Sequence, residues 1–171
     1  MSNNSALLRL FRSYNQLISL NVQGCTALQH LNCENNSISS LDVSGFSSLQ
    51  NLQRWNNNLP SSNLSSNTAL LHVNLSAINE LTALSLTNLV NLEMLWVQNT
   101  GLTELDVSNI PALSSACLQG SRLEFYGNGN LAEAGSGSFY GYQLGEGINP
   151  TSTREIDHCQ LCFDKTVQVS A

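Results

Sequence analysis

The chain has 171 residues, and leucine, serine and asparagine supply 29, 24 and 22 of them. That much leucine is atypical of a disordered chain, and no apolar run approaches the ~18 residues that a membrane span needs. The formal net charge is −6, with only six lysine or arginine residues. This balance disfavours a nucleic-acid partner, because a phosphate-binding face needs many cations.

The start of the chain does not have the pattern of a secretory signal. Met1–Ser5 is polar and uncharged, and Arg9 and Arg12 interrupt the apolar run that follows. We therefore expect a cytoplasmic protein if the chain is complete, and an extracellular or cell-surface one if it is a fragment. An odd number of widely spaced cysteines disfavours a disulfide scaffold. They are Cys25, Cys33, Cys117, Cys159 and Cys162.

Three columns of residues recur at steps of 21 or 22 along the chain. The first consists of Leu7, Leu28, Leu49, Leu70, Leu92 and Leu113. The second consists of Asn15, Asn36, Asn57 and Asn79, continued by Thr100 and Ser121. The third consists of Val22, Val43, Leu64, Leu86 and Val107. Each column contains one step of 22, which predicts one inserted residue near Ser76–Ile78.

The repeated unit has a recognisable pattern, L-x-x-L-x-(apolar)-x-x-N-x-L-x-x-L-x-V, which is clearest over residues 28–43. This pattern resembles that of the leucine-rich repeat family. The L-D-V-S segments at Leu41–Ser44 and Leu105–Ser108, with Cys33 in the third apolar slot, resemble the 21-residue class of bacterial surface and secreted proteins. The resemblance covers residues 6–126, close to six units.

The predicted fold is an α/β-type solenoid that is mostly β. The resemblance implies a right-handed leucine-rich repeat coil with one concave parallel sheet and few or no long helices. Alternation of buried and exposed residues in each unit predicts a short strand, and stacked units pair these strands ~4.8 Å apart. The strands are expected near 9–13, 30–34, 51–55, 72–76, 94–98 and 115–119. We expect the solenoid to span 1–126 and the glycine-rich 127–171 to form an irregular cap or begin another segment.

The asparagine column is interpreted as structural. A coil that turns sharply after its strand leaves backbone N–H and C=O groups unpaired. A buried asparagine amide offers both a donor and an acceptor for them. We therefore predict a ladder of Asn15, Asn36, Asn57 and Asn79.

Two arginines depart from the repeat. Arg12 and Arg54 occupy the third apolar slot, where an unpaired buried guanidinium would cost several kcal/mol. Either the strands there are distorted or the arginines tip outward. In the same unit as Arg54, Pro60 follows Leu59 and Ser62 replaces the usual leucine. A local irregularity is expected there.

The residues that alternate with the buried ones are expected on the exposed face, which the resemblance implies is the concave binding surface. Both tryptophans of the chain fall there, among aromatic and amide side chains suited to neutral polar partners. A competing interpretation is that Trp55 and Trp96 only cover neighbouring strands. The predicted binding residues are Phe11, Tyr14, His30, Asn32, Gln53, Trp55, His72, Asn74, Met94, Trp96 and Gln98.

No catalytic or metal site is predicted. His30 and His72 lie two units apart, roughly 9–10 Å by strand spacing, which is too far for one zinc ion held by these two alone. Cys159 and Cys162 form a lone C-x-x-C pair, for which a disulfide or plain core cysteines are favoured over zinc. No phosphate-binding glycine loop follows a strand, and we expect no cofactor.

The sequence therefore favours a non-enzymatic binding module that holds a protein, peptide or glycan partner. We expect a monomer without membrane insertion. Two other functions stay open: a structural spacer of a surface protein, or the substrate-adaptor repeats of a larger enzyme. The confinement of both tryptophans to one face favours binding over the spacer.

Overall fold

The computed structural model describes residues 3–102, 104–107 and 109–110, together with three strands at 122–124, 138–140 and 156–157. None of these residues is helical. The described strands are β1 (Arg9–Phe11), β2 (His30–Asn32), β3 (Asn51–Gln53), β4 (Ser61–Asn63), β5 (His72–Asn74), β6 (Ala83–Ser85), β7 (Met94–Trp96), β8 (Glu104–Asp106), β9 (Arg122–Glu124), β10 (Ser138–Tyr140) and β11 (Ile156–Asp157).

The main sheet contains one strand from each of the first five coils, followed by β9 and β11, in the order β1-β2-β3-β5-β7-β9-β11. All its pairings are parallel except that of β11 with β9. Successive register partners are Arg9, His30, Asn51, His72, Met94 and Arg122, at steps of 21, 21, 21, 22 and 28. The predicted solenoid and its first five strands are confirmed, with three residues in each strand.

The strand beside β7 differs from the one that the period predicts. The predicted strand at 115–119 lies outside the described residues, and β9 occupies the place next to β7, with Leu123 opposite Leu95. Both segments alternate apolar and polar residues, so periodicity alone favoured the one that kept the 21-residue step. The predicted domain boundary at residue 126 stays a prediction.

Two smaller sheets lie on the return path of the coils. β4 pairs with β6, and β10 with β8, both in parallel. The sequence analysis predicted only the main sheet, and the structure adds these short strands on the return path. Ser62 stands opposite Leu84 in the first of these sheets.

Stacked aliphatic side chains fill the interior of the coils. Leu28, Leu49, Leu70 and Leu92, from one column of the repeat, are each 0% exposed. Partly buried leucines at the coil edges pack against this core. Because each coil buries its apolar residues against the coils beside it, the units depend on one another for stability.

Each of the first five units turns through one residue with positive φ, three positions after its main-sheet strand. These residues are Tyr14, Asn35, Asn56, Ala77 and Asn99, with φ between 52° and 53°. Asparagine tolerates this left-handed conformation, whereas a tyrosine or an alanine is strained in it. Tyr14 had been expected on the exposed strand face, and it belongs to the turn instead.

The asparagine ladder is present in units two and three. Asn57 donates to the carbonyl oxygens of Cys33 and Arg54, both at 3.0 Å, and accepts from the Ile38 N–H at 3.0 Å. Asn36 forms the equivalent set one unit earlier, donating to Arg12 at 2.9 Å and Cys33 at 3.0 Å. Each amide thus joins its own turn to the backbone of the preceding unit.

The ladder prediction is wrong for Asn79. The residue that follows the positive-φ position of unit four is Ile78, which is 0% exposed, while Asn79 is exposed. The extra residue therefore comes after Ile78 and not within Ser76–Ile78. The sequence analysis assigned Asn79 to the asparagine column instead of Ile78, although either residue leaves a single step of 22 in that column.

Candidate functional site

The first and third residues of each main-sheet strand form two columns on one face, here called the exposed sheet face. The register places Arg9, His30, Asn51, His72 and Met94 in the first column. It places Phe11, Asn32, Gln53, Asn74 and Trp96 in the second. In every strand from β1 to β7 that belongs to this sheet, the middle residue is buried and the flanking ones are exposed or half-buried.

Amide side chains link the middle of the exposed sheet face. The Gln53 amide donates to Asn51 Oδ1 at 3.1 Å, and Asn51 Nδ2 lies 3.5 Å from His72 Nδ1. His72 Nε2 in turn lies 3.8 Å from Glu93 Oε2. These contacts hold the polar side chains of the exposed sheet face in defined positions.

Trp96 ends the second column among the fully described strands. It is half-buried, with Asn74 as its register partner in β5 and Glu124 in β9. Met94 lies on the same face of the same strand. The residue 21 positions later, Cys117, belongs to the predicted strand at 115–119 and lies outside the described part of the chain.

Trp55 occupies a more constrained position than the sequence predicted. It lies two residues past the end of β3 and is half-buried. Its indole N–H donates to Glu34 Oε2 at 2.7 Å, which joins the second and third units. This bond fits the interpretation that Trp55 covers a neighbouring unit, and the sequence pattern gave no sign of Glu34 as its partner.

Gln98 and Tyr14 do not lie where the sequence placed them. Gln98 is only 8% exposed, because β7 ends at Trp96 and the alternation of faces does not continue into the turn at Asn99. Tyr14 is 71% exposed but lies in the turn with φ 53°, beyond the strand. The predicted residues that lie on the exposed sheet face itself are Phe11, His30, Asn32, Gln53, His72, Asn74, Met94 and Trp96.

The two arginines of the third apolar slot differ in burial. Arg12 tips outward as one of the two alternatives predicted, and its Nη1 donates to the Phe11 carbonyl oxygen at 3.2 Å. Arg54 is 1% exposed, and its Nη2 donates to the hydroxyl of buried Ser62. The two departures of unit three are thus one feature, since the arginine side chain fills the space that the missing leucine would occupy.

The pKa values of buried Arg54 and Cys33 give no sign of a reactive group. Burial lowers the pKa of Arg54 to about 10, so the guanidinium stays protonated at neutral pH. Burial raises the pKa of the Cys33 thiol to about 11, against the opposing effect of the Arg54 cation. A protonated thiol in the core is a poor nucleophile.

Within the described ranges, the structure shows no group of three histidine, cysteine, aspartate or glutamate side chains that could hold a metal ion. His30 and His72 share a column with Asn51 between them. Cys159 and Cys162 lie outside the described residues. No helix of the described part is long and apolar enough to cross a membrane.

A serine-rich cleft of about 430 Å³ lies on the return path, against the Ser61–Asn63 strand. Its one titratable group is Asp42, whose pKa is lowered by hydrogen bonds from Ser44, including the backbone N–H at 2.9 Å. A carboxylate stabilised in its ionised form is poorly suited to general acid catalysis at neutral pH. This cleft therefore adds no evidence for an enzyme.

Comparison with known proteins supports the fold. No family model matches the sequence, and no curated protein matches it. The functional domain of InlJ from Listeria monocytogenes, which includes a cysteine ladder, is similar to 74% of this chain at 24% identity with a TM-score of 0.53. The match spans 34% of that chain, about a third of its length. In the described part of this chain, Cys25 and Cys33 are single buried thiols in different columns. The likeness shows a solenoid of the leucine-rich repeat type.

Proposed function

We propose that the exposed sheet face binds a protein partner and that Trp96 is its main anchor. One observation carries this proposal: the register places Trp96, Asn74 and Gln53 side by side in one column of the exposed sheet face. The fold supports it, because leucine-rich repeat solenoids offer an extended surface of stacked strands.

The chemistry of the column suits a neutral polar partner surface. Trp96 offers a large, rigid ring. A partner can bury it at a low cost in conformational entropy, because the side chain has only two rotatable bonds. Asn74 and Gln53 offer amide donors and acceptors on the two strands that precede Trp96 in the same column. Asn74 Oδ1 already accepts from the Ser76 N–H at 3.1 Å, which holds the amide in a defined position.

Trp96→Ala is the variant that tests the anchor. Truncation of an aromatic anchor at an interface costs about 2 kcal/mol or more of binding free energy. We expect stability to change far less, because the ring is only half-buried. The measurement is a binding screen against peptides, bacterial and host surface proteins and neutral glycans, read by tryptophan fluorescence and repeated with the variant.

Two further variants sharpen this screen. Trp55→Phe leaves Trp96 as the single tryptophan, so the fluorescence change reports on the exposed sheet face alone. Val90→Ala is the matched control, because Val90 is 54% exposed but lies outside the sheet strands. A partner that binds Trp96→Ala and the parent protein equally would contradict the anchor and favour a structural spacer. Unfolding of Trp96→Ala would place the ring in the core and also contradict it.

A free peptide or a neutral glycan is the alternative occupant of the same face, and the screen distinguishes them by which library gives a signal. A bacterial origin is supported by the likeness to a Listeria domain. The compartment stays as the sequence left it, extracellular or at the cell surface for a fragment and cytoplasmic for a complete chain, and a monomeric state stays a prediction from the sequence. So does the absence of enzymatic activity.

A further inference from the structure

The serine-rich cleft lies at a gap between the second and third coils. On the return path β4 pairs with β6, and no other strand of the described part pairs with it. Residues 39–44 of unit two line the cleft together with β4 and the two residues before it. The units are joined at either end of the gap, where the Asn58 N–H donates to the Ile38 carbonyl at 3.0 Å and the Asn67 amide donates to the Val43 carbonyl at 2.7 Å. The walls of the cleft therefore belong to two fully described coils.

The edge of β4 that faces this gap carries backbone groups without a backbone partner. The Leu64 N–H donates to the Ser85 carbonyl at 3.1 Å, which directs this residue toward β6. Because successive residues of a strand direct their N–H and C=O groups to opposite sides, those of Ser61 and Asn63 point toward unit two. No backbone hydrogen bond joins them to residues 39–44, all of which the structure describes. The cleft thus offers N–H donors as well as serine hydroxyls.

A buried cation lies behind the wall of this cleft. Arg54 is 1% exposed, and its Nη2 donates to the hydroxyl of Ser62, which is itself buried and lines the cleft. The Nε of the same guanidinium is buried with no hydrogen-bond partner among the described residues. The one ion pair found within the described ranges joins His72 to Glu93, so Arg54 has no anionic partner there. A buried charge without a counter-charge is costly, and a bound anion would reduce that cost.

The Ser62 hydroxyl connects this charge to the cleft. Its oxygen accepts from Arg54, so its own hydrogen is available for another acceptor. A negatively charged acceptor is favoured, because the field of a buried cation is weakly screened. Asp42 is the one charged residue that lines the cleft, and it is exposed, so water and salt screen its repulsion. These opposing charges favour a ligand with one negative charge over a ligand with two.

The size and lining of the cleft suit a ligand larger than a bare ion. Its volume of about 430 Å³ falls within the range of small-molecule sites. Six of its lining residues are serines, whose hydroxyls can both donate to and accept from the hydroxyl groups of a ligand. The lining therefore matches a ligand that combines one anionic group with several hydroxyls.

We propose that this cleft binds a small hydroxylated monocarboxylate of the sugar-acid class. Its carboxylate accepts from the Ser62 hydroxyl and from backbone N–H groups of β4, and Arg54 supplies the counter-charge behind Ser62. Its hydroxyl groups bond to the surrounding serines. This site is separate from the exposed sheet face and does not depend on the Trp96 anchor.

The test is a calorimetric titration of the full chain with D-glucuronate, at an ionic strength held constant with sodium chloride. D-Glucose is the matched neutral ligand, because it has the same ring without the carboxylate. We expect saturable binding of glucuronate that is about tenfold or more tighter than that of glucose, since only the carboxylate pairs with the buried cation. Equal affinities for the two sugars, or no binding of glucuronate, would overturn the proposal.

Two variants separate the charge from the shape of the cleft. Arg54→Leu should weaken glucuronate binding by about tenfold or more, and leucine fits there because Leu75, its counterpart in the next unit, is buried. Asp42→Asn should tighten binding about two- to fivefold by removing a like charge. An asparagine keeps this turn, as Asn63 shows by accepting from the Ser65 N–H at 3.0 Å in the equivalent turn of unit three.

Unchanged or weaker binding by Asp42→Asn would contradict the charge assignment, and this exposed variant decides the question even if Arg54→Leu does not fold. Glucuronate binding by a folded Arg54→Leu variant at the parent affinity would also contradict it. Trp96→Ala should bind glucuronate like the parent protein, which separates this result from that of the exposed sheet face.

Discussion

Replacing Arg54 and Ser62 together by leucine should raise the free energy of unfolding by about 1–4 kcal/mol, the range seen when buried charged groups are replaced by apolar ones of similar volume. Arg54 is a cation at 1% exposure, and its Nε has no hydrogen-bond partner among the described residues. The following unit shows that two leucines fit these positions, since Leu75 is buried and Leu84 packs against the core there. Urea denaturation of Arg54→Leu/Ser62→Leu and the parent protein measures the difference.

The single variant Ser62→Ala should have the opposite effect. It leaves the Arg54 guanidinium buried without the hydroxyl that accepts its hydrogen bond. An unsatisfied buried donor costs about 1–3 kcal/mol, and more when it is charged. If Arg54→Leu/Ser62→Leu were less stable than the parent protein, the arginine would be a stabilising part of the core. This account of unit three would then be wrong.

Asn57→Ala should lower the free energy of unfolding by about 1–3 kcal/mol, because it leaves buried backbone groups unpaired. The Asn57 amide binds two carbonyl oxygens at 3.0 Å and the Ile38 N–H at 3.0 Å, and its residue is 3% exposed. The lost hydrogen bonds join two neighbouring units. We therefore expect the variant to unfold in one cooperative transition, with its midpoint at a lower urea concentration than that of the parent protein. Thermal and urea denaturation give the change.

Asn58→Ala is the matched control for this ladder variant. Asn58 is exposed, and its backbone N–H donates to the Ile38 carbonyl at 3.0 Å whatever its side chain. Asn35 is unsuitable as a control, because alanine at its φ of 52° would be strained. Equal losses for Asn57→Ala and Asn58→Ala would show that the ladder amide is not the stabilising group.

The parts of the structure that depend on period alone could be predicted from sequence. Strands at Arg9–Phe11, His30–Asn32 and Asn51–Gln53 begin where the alternation begins, because burying the same face in every unit fixes the register. The Asn36 and Asn57 ladder followed from the same regularity. The exposed sheet face could be located for the same reason.

Features that depend on residues departing from the repeat pattern could not be predicted from sequence. The sequence shows Arg54 and Ser62 as two separate anomalies, and only the fold brings them into contact across the coil. The insertion was placed near Ser76–Ile78 because Asn79 was aligned with the asparagine column, yet the turn geometry puts Ile78 in that column. Gln98 was expected on the exposed face because alternation gives no sign of where a strand stops.

The same limit applies to the two tryptophans. Pattern placed both on one face without distinguishing them, whereas the structure ties Trp55 to Glu34 and leaves the Trp96 ring beside Asn74.

Hydroxyl-radical footprinting of this chain with the partner found in the screen tests the central claim most directly. Binding on the exposed sheet face predicts that Met94 and Trp96 lose reactivity when the partner is added, while Val90 keeps its own. Full reactivity of Trp96 in the complex, with protection of Val90 or of the serine-rich cleft, would contradict the claim that this solenoid binds through its sheet.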